Sequence, residues 1–176
     1  MIRAIPTFYN GYRFRSRLEA RWAVYLDACQ LKFEYEPQGY VVNGEPYLID
    51  FFLPQVGLYA EVKPTRLTPA ERRKVDGLVM GTGQGCLLLI GAPDHVSYPL
   101  IYPDDDKPGT TYETDAVVSR FHNYPDEEHR FYVNTGNDPL SPLDDYFIDD
   151  EEVEAVIAAR SARFEHGESG MGVRIK

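Results

Sequence analysis

Hydrophobic and polar positions change period several times along the chain, and each change marks an expected element. From Ser16 to about Gln30, Leu18, Trp22, Tyr25, Leu26 and Cys29 recur at helical spacing, which predicts a helix packed on a sheet. Lys32 to Glu36 alternates and Gly39 to Val42 is a second β-like run, with Asn43-Gly44 as a turn signal leading toward the next strand. Tyr47 to Leu53 and Leu58 to Val62 are almost wholly apolar and are parted by Pro54 to Gly57, the pattern of a β-hairpin. Thr68-Pro69-Ala70-Glu71 opens a second helix that runs to near Met80, and Cys86 to Ile90 is an apolar run bounded by glycines, expected as a strand buried on both faces. Beyond Pro93 the pattern weakens. One or two strands are expected among irregular loops, near Tyr98 to Tyr102 and Phe131 to Val133. A last helix is expected from Asp149 or Asp150 to about Phe164, with Val153, Val156, Ile157, Arg160 and Phe164 on one stripe, followed by a mobile tail.

Two acids interrupt the apolar hairpin. Asp50 lies in its first run and Glu61 in its second, and a buried carboxylate costs several kcal/mol unless it is paired or binds a cation. Side chains alternate along a strand, so Leu48, Asp50 and Phe52 are expected on one face, and Tyr59, Glu61 and Lys63 on one face of the next strand. A register that brings these faces together places two carboxylates about 5 Å apart with one ammonium beside them, a site for a divalent cation. Glu19 admits two roles. Ser16 and Glu19 have capping-box spacing, and the same carboxylate on the helix before the sheet is a candidate member of the cation site.

Asp50, ten residues, then Glu61-Val62-Lys63 resembles the PD-(D/E)xK nuclease superfamily, with Ile49 in place of the name-giving proline. The resemblance covers about residues 13 to 92, where helix, three strands, helix, strand follow in the superfamily's order; RSRLEARW around Glu19 resembles its first helix. It implies an α/β restriction-endonuclease-like core, with Asp50, Glu61 and the Val62 carbonyl as ligands of Mg²⁺ or Mn²⁺. Lys63 would orient or activate the attacking water, and Glu19 would reach the metal directly or through water. Hard oxygen donors suit these ions better than zinc. The implied activity is hydrolysis of phosphodiester bonds in DNA, with RNA as the lesser alternative.

Charge changes this picture only when divided along the chain. The formal charge is −10, but residues 1–91 hold 11 Lys/Arg against 9 Asp/Glu, whereas residues 92–176 hold 7 against 19. Arg13, Arg15, Arg17 and Arg21 crowd one segment among Tyr9, Tyr12 and Phe14, and Arg66, Arg72, Arg73 and Lys74 lie after Lys63, so both groups are candidates for phosphate contacts. An ordinary solvated face explains such runs equally well. The expected division is a nuclease-like core over residues 1–92 and an acidic extension over 93–176, packed on or beside it. That extension repels DNA, so it faces away, is displaced, or holds a protein partner or a second copy of the chain. It also leaves open a catalytically silent binding or regulatory protein on a nuclease fold. Asp104-Asp105-Asp106 reads as a solvated loop, and the Gly81 to Gly85 segment lacks the lysine of a phosphate loop. Cys29 and Cys86 read as buried free thiols, and His95, His122, His129 and His166 have no ligand spacing. With no membrane span or signal-peptide core, a cytoplasmic location is expected.

Overall fold

The first reversal is made by Asn10 and Gly11, whose φ values of 46° and 84° are the left-handed pair that a tight two-residue hairpin requires. They join β1 (Thr7–Tyr9) to β2 (Tyr12–Phe14), a hairpin the sequence reading passed over in favour of an arginine and aromatic cluster. The structure, a computed structural model, describes residues 4–94, 98–104, 111–120, 131–134 and 150–164. Helix α1 (Arg17–Ala28) follows, with the Ser16 hydroxyl accepting from the Glu19 N–H as N-cap. Then come β3 (Glu34–Tyr35), β4 (Gly39–Val42), β5 (Glu45–Leu48), β6 (Phe51–Leu53) and β7 (Leu58–Lys63). Helix α2 (Pro69–Thr82) has a complete capping box between Thr68 and Glu71 and leads into β8 (Cys86–Ile90). Strands β9 (Tyr98–Pro103), β10 (Thr111–Arg120) and β11 (Phe131–Asn134) and helix α3 (Asp150–Ser161) complete the described residues.

The fold is mixed α/β. Seven strands form one sheet in the order β11-β10-β9-β8-β7-β6-β3, in which β7 and β8 are parallel, joined through α2, and the other neighbours are antiparallel. Alternation along β8 sends Leu87 and Leu89 into the core under α1 and α3, and Cys86 and Leu88 into the core under α2, so a run with no polar position is buried on both faces. Trp22 anchors the first layer: it is 1% exposed, and its indole N–H donates to the Gly91 carbonyl at 2.9 Å, tying α1 to the end of β8.

Several expectations change. Tyr47 to Leu53 is not one strand, because the chain changes partner inside it: β5 pairs with β4 in a separate two-stranded sheet, and β6 pairs with β7. Ile49, between β5 and β6, packs with Tyr59 and Leu88 in the core under α2. Among the described residues three strands, not one or two, follow β8, and β9 continues the same sheet. Of the expected C-terminal stripe, Val156 and Phe164 are buried, but Ile157 is 59% exposed, and Ala155 and Ala159 are buried as well. Asp104 is buried rather than solvated. Cys86 is a buried free thiol as expected, whereas Cys29 is only half-buried. Asp105, Asp106, the four histidines and the tail lie outside the described residues. No described helix is long and apolar enough to cross a membrane.

One close approach holds α2 against the β4–β5 hairpin. A Cβ on Gly77 would stand 2.3 Å from Cγ1 of the buried Val42. Gly77→Ala in a helix ordinarily stabilises by nearly 1 kcal/mol, but here overpacking costs about 1–3 kcal/mol and should win. Denaturant unfolding should show Gly77→Ala less stable than wild type and the Val42→Ala/Gly77→Ala double variant recovering part of the loss. Additive single effects would contradict the contact.

Candidate active site

The break between β5 and β6 places Asp50, and the break is what gives its carboxylate a role. The Asp50 carbonyl accepts from the Glu36 N–H at 2.9 Å, which extends the β3–β6 ladder by one residue. Its side chain turns to β7, where Oδ2 accepts from the Val62 N–H at 2.7 Å. A strand residue points its N–H and C=O toward the same antiparallel neighbour, so the Val62 carbonyl faces the same edge. The β6–β7 register runs Phe51 to Ala60, and one further step sets Asp50 opposite Glu61. The two acids are 3% and 4% exposed.

Each acid carries one cation. The Arg15 guanidinium meets Asp50 Oδ1 through Nη2 at 2.5 Å and Glu36 Oε1 through Nε at 2.7 Å, and lies 4.0 Å from Glu19 Oε2. The Lys63 ammonium lies 2.9 Å from Glu61 Oε1 and 3.4 Å from Glu71 Oε1. Glu71 spends its other oxygen on the cap of α2, accepting from the Thr68 N–H and hydroxyl at 2.8 and 2.7 Å, so the start of α2 is tied to the site. Tyr47 donates its hydroxyl to Glu61 Oε2 at 3.0 Å.

Glu19 is a clasp at the start of α1 and differs from the expected box. Its Oε1 accepts from the Ser16 hydroxyl at 2.7 Å, and its Oε2 accepts from the Tyr35 hydroxyl at 2.7 Å and from the N–H of Arg15, one residue before the cap, at 3.1 Å. Three donors hold it, yet its charge still reaches Asp50.

The linked groups hold five carboxyl groups (Glu19, Glu36, Asp50, Glu61 and Glu71) against two cations (Arg15 and Lys63), so acids outnumber cations by three. Burial, then the facing Glu61 and Glu19, push the Asp50 carboxyl up to about 8, although the Val62 N–H and Arg15 pull the other way. Burial works against the Lys63 ammonium, but Glu61, Asp50 and Glu71 outweigh it and leave its pKa above that of a free lysine. Lys63 is therefore a fixed cation at neutral pH. Burial and then Glu61 push the Tyr47 phenol up, so it remains a donor.

Among the described residues no three His, Cys, Asp or Glu side chains are grouped to hold a metal ion. What the structure brings together is Asp50, Glu61, Lys63, Val62, Glu19 and Arg15. The other basic candidates are dispersed. Arg13 is exposed on the hairpin with its guanidinium 5.9 Å from the Phe8 ring centre. Arg17 and Arg21 are half-buried on α1, each with a shielded Nε that has no hydrogen-bond partner among the described residues. Arg66 and Arg73 are exposed, whereas Arg72 pairs with Asp76 at 2.7 Å and Lys74 with Glu45 at 2.8 Å. Tyr47, Tyr35, Glu36 and Glu71 were not foreseen as neighbours of the site; only Glu71 carried a signal, its place in a capping box.

Two outcomes follow from these contacts. The raised Asp50 carboxyl means that the folded state prefers the proton, so this contribution to stability is full below about 3.8 and is lost as pH rises toward and through about 8. Without divalent ions, Asp50→Asn should gain melting temperature over wild type progressively from pH 5 to pH 9; a pH-independent difference would contradict it. Glu19→Gln can still accept at its carbonyl oxygen, so it should melt close to wild type, whereas Glu19→Ala should lose about 0.5–2 kcal/mol, as other caps do. Equal losses in the two variants would remove the clasp role.

No family model, no curated protein and no solved structure matches this chain.

Proposed function

We propose that this chain hydrolyses phosphodiester bonds in DNA in a reaction that depends on Mg²⁺ or Mn²⁺, on a restriction-endonuclease-like core. The observation that carries the reading is the pair of buried carboxylates, Asp50 and Glu61, set opposite each other by the β6–β7 register with Lys63 beside them. The strand order adds support: an antiparallel β3-β6-β7 set is followed by α2 and the parallel β8, preceded by α1.

The donor chemistry fits a hard divalent ion, since Asp50 and Glu61 face each other in a cluster where acids outnumber cations, and these two with the Val62 carbonyl would hold it. Such an ion supplies Lewis-acid polarisation of the phosphate and a bound water of lowered pKa. The protein does the rest. Lys63, kept protonated, orients a water or steadies negative charge developing on the phosphate rather than acting as a base. Tyr47 holds Glu61 in one orientation, and the Thr68–Glu71 cap fixes the far side of Lys63. Arg13, Arg66 and Arg73 are exposed and would be the candidates for contacts with the phosphate backbone.

A second reading, a catalytically silent binding protein on the same core, is favoured by one observation: Asp50 and Glu61 already have cation partners. RNA as substrate keeps the same chemistry.

A Mg²⁺ titration against linear duplex, single-stranded and branched DNA and RNA separates these readings. Cleavage of at least one DNA is expected, with Asp50→Ala and Glu61→Ala losing about two to three orders of magnitude or more while remaining folded, and Lys63→Ala losing a comparable factor. A folded wild type that cuts none of these with Mg²⁺ or Mn²⁺ would favour the silent protein, and preference for RNA would change the substrate alone.

A further inference from the structure

We infer that Arg15 is the internal counter-ion of the acid site and exchanges with the divalent ion: it holds Asp50 when no metal is bound, and metal binding releases its guanidinium toward the substrate phosphate. The inference rests on the proposed metal-dependent activity and adds a residue and a coupling to it. Its ground is geometric. One guanidinium meets Asp50 and Glu36 with different nitrogens, and sits within 4.0 Å of Glu19. The acids it serves are buried or half-buried, but the Arg15 side chain is 52% exposed, so it lies at the mouth of the site rather than in the core.

Asp50 has one oxygen committed to the Val62 N–H and the other to Arg15. The oxygen free of the β7 main chain is the one that Arg15 occupies, so a cation held by Asp50 and Glu61 competes with the guanidinium for it. Two positive charges competing for one carboxylate oxygen repel each other, so the incoming ion loosens the guanidinium. Arg15 remains tethered by its own backbone, whose N–H is held by Glu19 and by the Tyr35 hydroxyl, at 3.1 and 3.0 Å. Its side chain is then free to swing while its root stays fixed. A planar guanidinium freed beside a dianionic site is suited to bidentate capture of a phosphate. Because metal and phosphate act on the same arginine, each should strengthen binding of the other by the same factor.

The exchange separates from simple charge repulsion through the fork geometry. Lysine retains the positive charge but cannot hold Glu36 and Asp50 with two nitrogens at once. Free Mn²⁺ measured by electron paramagnetic resonance gives the affinity of wild type, Arg15→Gln and Arg15→Lys, each first checked for folding by circular dichroism. Arg15→Gln is expected to bind Mn²⁺ at least about fivefold more tightly than wild type, the lower end of usual couplings, and Arg15→Lys to recover most of that gain. A non-cleavable phosphorothioate DNA should tighten Mn²⁺ binding in wild type and lose most of that effect in Arg15→Gln. Equal Mn²⁺ affinities in wild type and Arg15→Gln, or Arg15→Lys matching wild type while Arg15→Gln tightens, would overturn the exchange and leave the metal site standing. Tighter binding in both variants, in a protein that cuts no nucleic acid, would keep the exchange and remove the nuclease. No Mn²⁺ binding by any of the three would remove both.

Discussion

The hydrogen bond from the Val62 N–H to Asp50 Oδ2 is the constraint from which the rest of the site follows. At this point β6 has ended and β7 has not, so a main-chain donor in a buried strand lacks its ladder partner. An unmet buried donor costs about 1–3 kcal/mol. The Asp50 carboxylate replaces the missing backbone, and a charge is thereby drawn into a place that alternation alone would have filled with an apolar side chain. Once it is there, Glu61 opposite it, Arg15 above it and Lys63 beside Glu61 become mutually necessary.

The two helices are coupled to this centre by their caps. Glu71 completes the box at the start of α2 and reaches Lys63 with its second oxygen; Glu19 clasps the start of α1 and reaches the Arg15 backbone and Tyr35. Both helix starts, the positive ends of their dipoles, are tied through glutamates to an acidic network. The layers under α1 and α2 supply rigidity, since the strands between them are filled on both faces by Leu87, Leu88 and Leu89 and their neighbours. A site with more acids than cations persists because such a frame leaves those acids little room to separate.

How much of this was legible in the sequence depended on whether the signal was local. The start of α2 was readable because Thr68, Pro69 and Glu71 act on backbone within one turn, and β8 because a run of five residues without a polar position has few other uses. The facing of Asp50 and Glu61 was readable from hairpin spacing. The change of partner at Ile49 was not, because a strand that leaves one sheet and joins another is as apolar as one that stays. Asn10-Gly11 was a local hairpin signal that surrounding arginines and aromatics obscured. Strand β10 exists through its pairing with β9 along Thr111 to Ala116, and Arg15 finds Asp50 across 35 residues of sequence; neither partnership leaves a mark within a short window.

The central claim is that Asp50 and Glu61 form a divalent-cation site. Crystals of wild-type protein equilibrated with Mn²⁺, measured for anomalous scattering, test it directly. The predicted result is a peak about 2.1–2.2 Å from a carboxylate oxygen of Asp50 and of Glu61, close to the usual Mg²⁺ distance, and absent in Asp50→Ala. A fully occupied peak elsewhere, or none, with Arg15 still seated on Asp50, would contradict it.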